Sequence, residues 1–185
     1  MLEGLHIFDD FYENPDEVRD YALTLDFDVK GNYPGVRTQP YYKNHHNYLK
    51  EFFENSIIKQ KISHWPEEYN TSFQYTTKKD KTWIHHDMTE WAGVLYLTPN
   101  APLESGTSFY RHKDTGIYYW NGTEDTDLKT TNKKEWEETA YVGNIYNRLI
   151  VYRGGYYHRS KVPGFGTDKQ NSRLFQTFFF DTNNE

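Results

Sequence analysis

Beyond about residue 69, the sequence consists of short aromatic and β-branched stretches separated by turn-forming residues, and this pattern most constrains the fold. Stretches rich in Tyr, Phe, Thr, Val and Trp favour extended backbone, whereas the clusters of Gly, Pro and Asn between them favour turns. We predict strands over residues 72–77, 83–87, 91–98, 106–111, 117–120, 141–146, 148–153, 156–160 and 173–181. Many short strands after a helical segment indicate a mainly β fold, a double-stranded β-helix of the jelly-roll type backed by helices.

The N-terminal third of the chain predicts two helices. Residues 14–25 start with Asn14, which can cap a helix, and with Pro15, which suits the first helical position. Apolar residues then recur at the spacing of one helix face, namely Val18, Tyr21, Ala22 and Leu25. A second helix is predicted over residues 46–61, with an apolar stripe made of Tyr48, Leu49, Phe52, Phe53 and Ile57. Each helix therefore has an apolar face that can pack on a sheet.

The length of 185 residues fits one ordinary domain. We expect residues 1–65 to form a helical N-terminal support and residues 69–181 to form the jelly-roll core. The polar segment at about 121–139 is interpreted as an insertion between strands, with a short helical patch around Glu135. The Tyr-Pro-Gly-Val-Arg stretch at 33–37 carries turn residues and is predicted to be a loop, and for its Arg37 a surface position is favoured over a functional one.

The composition excludes several classes of site and partner. The absence of cysteine excludes disulfides and thiolate metal sites, so that a metal must use His and carboxylate ligands. The net charge of −6 argues against duplex nucleic acid as the main partner, because such binding needs a concentrated basic surface. The N-terminus lacks the pattern of a signal peptide, and no later run approaches membrane-spanning length. We therefore expect a cytoplasmic protein without a membrane partner.

The stretch Trp-Ile-His-His-Asp at residues 83–87 carries the candidate chemistry. Side chains alternate along an extended segment, so His85 and Asp87 point to one side and His86 to the other. A third ligand must come from a distant strand, and His158 in the aromatic run 156–160 is the best candidate. Two imidazoles and one carboxylate on one face of a divalent ion, with open positions opposite, suit non-heme Fe(II). A His-x-Asp pair alone is a common chance pattern, so its context decides its weight.

With the strands assigned, the order of these residues resembles the prolyl 4-hydroxylase-like branch of the Fe(II)- and 2-oxoglutarate-dependent dioxygenases. His85 and Asp87 match the His-x-Asp pair of that family, His158 matches its distal histidine, and Arg173 matches the basic residue that binds the tail of 2-oxoglutarate. The segments that are similar to family segments are 94–98, 104–109, 147–152 and 158–163. The Tyr-Pro-Gly-Val-Arg stretch at 33–37 and the Phe-Tyr-Arg-His stretch at 109–112 also resemble a small uncharacterised set of phage and bacterial proteins of this branch, a similarity that covers nearly the whole chain.

The resemblance implies further residues that bind the cosubstrate. Tyr75 stands ten residues before His85, where the family places a tyrosine that touches the oxoacid, and Tyr96 lies in a strand similar to the family's Tyr-Leu-Asn strand. A guanidinium matches a carboxylate with two parallel hydrogen bonds, which suits Arg173 as an anchor. Strand alternation places four residues on one face, namely Arg173, Phe175, Thr177 and Phe179. If Arg173 faces inward, Thr177 can add a hydroxyl to the pocket and Phe179 a wall.

The resemblance thus implies an Fe(II)- and 2-oxoglutarate-dependent hydroxylase. Such an enzyme uses O2, releases succinate and CO2, and hydroxylates a C–H bond of a small-molecule or peptide substrate. Arg111 and His112 lie either at the mouth of its substrate site or at the end of a hairpin. Two alternatives stay open: the triad can hold zinc and activate water for hydrolysis, or the jelly roll can bind a metal or a sugar without catalysis.

Overall fold

The computed structural model describes residues 2–41, 46–122 and 133–182. Helix α1 spans Pro15–Thr24, and α2 spans His46–Phe52 and continues as a π-helical turn over Phe53–Ile57. Single 3-10 turns cover Leu103–Ser105 and Lys133–Glu135. The strands within these ranges are β1 His6–Phe8, β2 Val36–Arg37, β3 Ile62–His64, β4 Phe73–Thr76, β5 Trp91–Tyr96, β6 Thr107–His112, β7 Trp136–Val142, β8 Leu149–Arg153, β9 His158–Ser160 and β10 Arg173–Thr182.

The strands form a large and a small antiparallel sheet. In the large sheet the order is β1-β8-β5-β10-β4-β2, and the C-terminal end of β10 also pairs with β3. The small sheet has the order β7-β6-β9. The protein is therefore mainly β, with two sheets of a double-stranded β-helix and helices from the N-terminal third, which confirms the predicted fold class. No helix within the described ranges is long and apolar enough to cross a membrane.

Alternation along the central strand β10 separates two cores. Phe178 packs in a cluster with Ala22 of α1 and with Phe53, which follows α2. Phe175, on the other face of β10, belongs to a second cluster that includes Phe109 of the small sheet. Burial of each side chain of this size contributes about 1.5–3 kcal/mol. The two cores therefore fix which face of β10 looks toward the helices and which looks toward the small sheet.

The first helix agrees with the prediction and the second is shorter. Helix α1 lies within one residue of the predicted range at each end, although the side chain of Asn14 makes no capping hydrogen bond. The predicted helix of residues 46–61 ends at Ile57. Lys59 then adopts a φ of 55°, which no continuing helix allows, and the chain turns into β3. Tyr48, which was predicted to belong to the apolar stripe, is 65% exposed.

Six of the predicted strands are confirmed, and three predictions are corrected. At residues 83–87 and 117–120, isolated bridges from His85 to His158 and from Tyr119 to Tyr156 replace regular strands. The strand predicted at 141–146 lies earlier, as β7. Its first residue, Trp136, is buried against Tyr157. This packing fixes the start of the strand within a stretch of mostly charged residues.

The remaining differences concern the loop and the insertion. The predicted loop at 33–37 contains β2, which pairs with β4 so that Arg37 stands opposite Gln74. The N-terminal third thus supplies the short strands β1, β2 and β3 to the large sheet as well as the two helices. Within the predicted insertion, the helical patch is the 3-10 turn of Lys133–Glu135, and residues 136–139 belong to β7. Residues 123–132 of the insertion lie outside the described residues.

Candidate metal centre and its two cavities

The backbone holds three candidate ligands together although they lie far apart in sequence. His85 and His158 exchange two backbone hydrogen bonds, of 3.0 and 2.8 Å, across an isolated antiparallel bridge. Two residues later, the amide of Asp87 donates to the carbonyl of Gly154 at 2.8 Å. The rings of His85 and His158 consequently lie 4.4 Å apart between their centroids. The pairing of the 83–87 segment with β9 and the preceding turn therefore brings the predicted ligands to one place.

The ligand atoms have the spacing that one metal ion requires. Nε2 of His158 lies 3.4 Å from one carboxylate oxygen of Asp87, and Nε2 of His85 lies 3.9 Å from the other. One ligand atom from each of the three residues fits within 4.8 Å of the others. Divalent ions bind nitrogen and oxygen at about 2.0–2.2 Å, so ligands of a shared ion lie about 3–4 Å apart. Only small side-chain adjustments separate the triad from that geometry.

Hydrogen bonds fix the tautomers of both imidazoles. Nδ1 of His85 lies 3.0 Å from the carbonyl oxygen of Trp83, and Nδ1 of His158 lies 2.8 Å from that of Tyr156. Because a carbonyl only accepts hydrogen bonds, each Nδ1 carries the proton and each Nε2 presents a lone pair. Two lone pairs and a carboxylate thus converge without a proton donor between them. A cation satisfies this set of acceptors, which is the chemical reason why the triad fits a metal.

The electrostatics of the site favour the ligand form of its most buried histidine. Burial, followed by the proximity of His85, lowers the pKa of His158 to about 4, against the opposing effect of Asp87. His158 is therefore neutral at physiological pH, and its Nε2 is available to a metal without loss of a proton.

The triad lies at the junction of two cavities that differ in size. The outer cavity has a volume of about 1160 Å³, and its walls come from residues within 29–40, 68–72 and 83–89, with Trp120, Gly122, Tyr157 and Phe179. The inner cavity has a volume of about 80 Å³ and is lined largely by strand residues, which include Gln74, Gly93, Val94, Tyr152, Arg173 and Phe175. His85 and Asp87 line both cavities, whereas His158 lines the inner one.

One face of β10 builds much of the inner cavity. Arg173, Phe175, Thr177 and Phe179 all line it, as the alternation of the strand predicts. Their inward direction follows from the two cores, because the opposite face of β10 packs against the helices. Thr177 is buried, and its hydroxyl donates to the carbonyl of Ser72 at 3.3 Å.

Arg173 is a buried cation without an acidic partner. It is 2% exposed, its Nε donates to the carbonyl of Ser105 at 2.7 Å, and its guanidinium carbon lies 4.4 Å from the ring centre of Phe175. Burial lowers the pKa of Arg173, but an arginine stays charged in proteins. Among the described residues no carboxylate lies within 4.0 Å of this guanidinium. A buried charge without a partner is costly, so an anion in the inner cavity would satisfy it.

The two predicted tyrosines have different positions. The hydroxyl of Tyr96 exchanges a hydrogen bond of 2.8 Å with Thr107, and its ring centre lies 5.4 Å from the guanidinium carbon of Arg173. Tyr75 points to the helix side of β4, where its ring packs 4.9 Å from that of Phe27. The structure therefore brings Tyr96 next to Arg173 but does not bring Tyr75 to either cavity.

Sequence reasoning missed two residues of the site. Tyr152 lines the inner cavity, with its ring 4.8 Å from that of His158. Its position in a predicted strand, two residues after Ile150, was the available signal, but alternation alone does not tell which face is inward. Arg37 lines both cavities, so the surface position favoured for it is wrong. Its location depends on the pairing of β2 with β4, which no local pattern indicates.

For Arg111 and His112 the structure decides between the two predicted locations. Arg111 is exposed and forms an ion pair of 2.6 Å with Glu137 across the β6–β7 hairpin. Nδ1 of His112 lies 3.1 Å from the hydroxyl of Thr115, and its ring packs 5.1 Å from that of Trp136. Both residues lie at the end of the hairpin, and neither lines a cavity.

The fold and the triad together define a double-stranded β-helix protein with a His-x-Asp…His candidate metal centre. Residues 2–180 match the model of a family described as "Family of unknown function (DUF6445)". The chain belongs to this family. A comparison with curated proteins finds no significant match.

Solved structures of similar fold include HygX and two prolyl hydroxylases. HygX from Streptomyces hygroscopicus, crystallised with nickel, 2-oxoglutarate and hygromycin B, has a TM-score of 0.59 at 12% identity, over 96% of this chain and 82% of that one. A Pseudomonas putida prolyl-4-hydroxylase has a TM-score of 0.55 at 15% identity, over 98% and 94%. A Trichoplax adhaerens prolyl hydroxylase in complex with a hypoxia inducible factor peptide has a TM-score of 0.59 at 12% identity, over 96% of this chain and 83% of that one. At these identities the likeness establishes the fold.

Proposed function

We propose that the protein is an Fe(II)- and 2-oxoglutarate-dependent oxygenase of the prolyl 4-hydroxylase-like branch, which hydroxylates a C–H bond of a small-molecule or peptide substrate. The proposal depends on one observation. The inner cavity is lined both by the candidate metal ligands His85, Asp87 and His158 and by Arg173, which has no carboxylate partner among the described residues. A 2-oxoglutarate dianion has a keto acid for a metal at one end and a carboxylate for a guanidinium at the other. The fold shared with HygX, which was crystallised with nickel and 2-oxoglutarate, supports the proposal.

Each part of the site has a defined task in this proposal. His85, Asp87 and His158 would hold Fe(II), which with 2-oxoglutarate and O2 supplies oxidation of the C–H bond and release of succinate and CO2. The carbonyls of Trp83 and Tyr156 keep both imidazoles in the ligand tautomer. The terminal nitrogens of Arg173 bind the far carboxylate of the cosubstrate, since its Nε is already held by Ser105.

Two further features of the site concern water and the substrate. Phe175 and Phe179 line the inner cavity with apolar rings, which exclude water from the cosubstrate. The outer cavity is the place for the substrate, because it is the larger and reaches the triad through His85 and Asp87. The hydrolase and the non-catalytic binding module both leave Arg173 without a partner, and for that reason we favour the oxygenase.

The test is a turnover assay with protein reconstituted anaerobically with Fe(II). Succinate is measured after 2-oxoglutarate and O2 are added, while candidate substrates are screened. We expect Asp87→Ala to lower succinate release by at least about 100-fold, because loss of a ligand costs more than the 10–100-fold typical of its outer partners. The exposed Asp114, which lines neither cavity, provides the matched control Asp114→Ala. Equal release by Asp87→Ala and the parent would refute the ligand assignment.

A binding measurement separates the oxygenase from its alternatives without turnover. With Mn(II) in place of iron, 2-oxoglutarate at 100 times its Kd should stabilise the folded protein by about 2.7 kcal/mol. For a chain of this size that corresponds to a rise in melting temperature of about 5–10 °C. Metal binding without any response to 2-oxoglutarate would favour the hydrolase or the binding module.

A further inference from the structure

We propose that Arg37 binds an oxyanion group, a carboxylate or a phosphate, of the primary substrate in the outer cavity. This inference rests on the proposed function and deepens it, because it names the chemical class of the substrate. Arg37 lines both cavities together with His85 and Asp87. An anion held at Arg37 would therefore keep the rest of the substrate in the outer cavity beside the triad.

The backbone and one side chain fix the position of Arg37. Its amide and carbonyl both pair with Val29, at 3.0 Å each. Its Nε donates to Oε1 of Gln74 at 2.6 Å, and the amide nitrogen of Gln74 donates in turn to the carbonyl of Pro34 at 2.5 Å. The orientation of the Gln74 amide is thus set, and it presents its oxygen to the guanidinium. Arg37 is held before any ligand arrives, which reduces the entropy lost on binding.

The Tyr-Pro-Gly-Val-Arg stretch acts as a cradle for this side chain. The guanidinium carbon of Arg37 lies 3.8 Å from the ring centre of Tyr33, whose hydroxyl donates to Val29 at 3.1 Å. Gly35 has a φ of +78°, and a Cβ there would lie 2.0 Å from the carbonyl oxygen of Tyr75. Only glycine therefore allows the turn to approach β4 closely enough to place Arg37 opposite Gln74.

Arg37 forms no ion pair within the described part of the protein. No carboxylate oxygen there lies within 4.0 Å of its guanidinium, and its terminal nitrogens make no hydrogen bond to those residues. The acidic residues that line the outer cavity are Glu68 and Asp87. Asp87 is committed to the triad, and Glu68 forms no ion pair with Arg37. Two terminal nitrogens are therefore available for a bidentate bond to an oxyanion.

The walls around Arg37 suit an apolar body attached to that anion. Tyr69 and Trp83 line the outer cavity, and His86 stacks on Trp120 at 4.5 Å with an angle of 9° between the rings. Flat rings bury large apolar areas and pack well against planar ligands. We therefore choose probes that join a phenyl ring to different charged or neutral groups.

The experiment measures binding to the protein loaded with Mn(II) and 2-oxoglutarate, which does not turn over. Quenching of the fluorescence of Trp83 and Trp120 reports occupancy of the outer cavity. The probes are 3-phenylpropionate, phenyl phosphate, 3-phenylpropionamide and phenethylamine. We expect one of the two anions to bind about ten- to a hundredfold more tightly than the amide, which is the effect of one charge-assisted hydrogen-bonded pair. The stronger of the two anions identifies the oxyanion as carboxylate or phosphate.

Variants assign the preference for anions to Arg37. Arg37→Gln should abolish the difference between anion and amide, and Arg37→Lys should restore part of it. Arg111→Gln removes one positive charge from an exposed position outside both cavities and should leave the difference unchanged. If Arg37→Gln unfolds, the parent still decides, because equal or absent binding of anions and amide, or a preference for the amine, overturns the proposal.

The response to 2-oxoglutarate separates this inference from the proposed function. The rise in melting temperature caused by 2-oxoglutarate with Mn(II) is measured for the parent and for Arg37→Gln. An equal rise in both supports a substrate role, whereas loss of the rise in the variant assigns Arg37 to the cosubstrate and overturns the inference. No rise in the parent, with a preference for anions that depends on Arg37, overturns the oxygenase and leaves the anion site standing.

Discussion

The inner and outer cavities meet at the same triad but are built in different ways. The inner cavity, of about 80 Å³, is lined largely by strand residues, and those of β4, β5, β8 and β10 come from strands that are paired on both sides. The outer cavity, of about 1160 Å³, is lined mainly by the segments that connect such elements. Paired strands hold side chains in one arrangement, whereas connecting segments vary in length and sequence. The difference suits a constant cosubstrate in the inner cavity and a specific substrate in the outer one.

Arg173 lines the inner cavity and Arg37 lines both cavities; neither forms an ion pair with an acidic residue among those described, and the two side chains are held differently. Arg173 is 2% exposed and fixed through Ser105, whereas Arg37 lies between the cavities and is fixed through Gln74. If the cavities divide the ligands as proposed, the two arginines serve different anions. Replacing them one at a time tests that division.

The largest effect is expected for Arg173→Gln. Breaking a buried charge pair costs about 2–5 kcal/mol, so the affinity for 2-oxoglutarate with Mn(II) should fall by about 30- to 5000-fold. Arg37→Gln should change this affinity by less than about threefold, because its anion is the substrate. Calorimetric titration of both variants with 2-oxoglutarate measures the two affinities. Equal losses would mean that the two cavities do not divide the ligands.

A smaller effect is expected for Gly35→Ala, which disturbs the cradle of Arg37. Gly35 and Gly116 both have positive φ, but a Cβ at Gly116 has nothing within 4 Å, whereas one at Gly35 meets the carbonyl of Tyr75. Gly116→Ala should therefore show the cost of the backbone conformation alone, about 1 kcal/mol. Gly35→Ala should lower the free energy of unfolding by more than Gly116→Ala does. It should also weaken binding of the anionic probe, while 2-oxoglutarate still binds. Thermal unfolding and the fluorescence assay check both parts, and equal melting temperatures would contradict the clash.

The smallest effect is expected for Asp9→Asn, away from both cavities. Arg148 donates two hydrogen bonds to Asp9, at 2.6 and 2.8 Å, and this lowers the pKa of the carboxyl. The pair therefore stabilises the fold above the unfolded-state pKa of about 3.9, and the stabilisation is lost as the pH falls through the lower folded-state value. Because Asp9 is 53% exposed, the contribution is at most about 0.5 kcal/mol.

Urea unfolding at neutral pH and at low pH checks this prediction. The parent should be the more stable at neutral pH, and the difference should shrink on acidification. Neither the affinity for 2-oxoglutarate nor that for the anionic probe should change. A change in either would show that the sites respond to general destabilisation, and the effects at Arg37 and Arg173 would then need correction for it.

Much of the architecture could be predicted from local patterns. The apolar periodicity of residues 14–25 predicts α1, and six of the nine strands predicted from aromatic segments are confirmed, because both patterns repeat with the geometry of one element. Alternation also explains why Arg173 and Thr177 share a face of β10 with two aromatic rings. Local patterns failed at β7, where a buried Trp136 starts a strand within a charged stretch. Burial of that tryptophan depends on Tyr157, which is distant in sequence.

The positions of Tyr75 and Arg37 both differ from the predicted ones, and the two differences have the same cause. Alternation states that Gln74 and Tyr75 face opposite sides of β4, but the packing of Tyr75 on Phe27 decides that Gln74 is the inward one. In the same way, Arg37 reaches the site because β2 pairs with β4, through contacts between residues that lie 37 positions apart. These choices depend on energies of contacts that form only when distant segments meet.

The sequence by itself determined the types of element, the alternation of side chains within each strand and the chemistry of the available ligands. These follow from backbone geometry and side-chain chemistry, which act over a few residues. Only the tertiary structure decided which strand faces point inward, how the two cavities meet at the triad, and that Arg37 lines both cavities. Those features follow from the pairing and packing of distant segments, whose contacts no single stretch of chain contains.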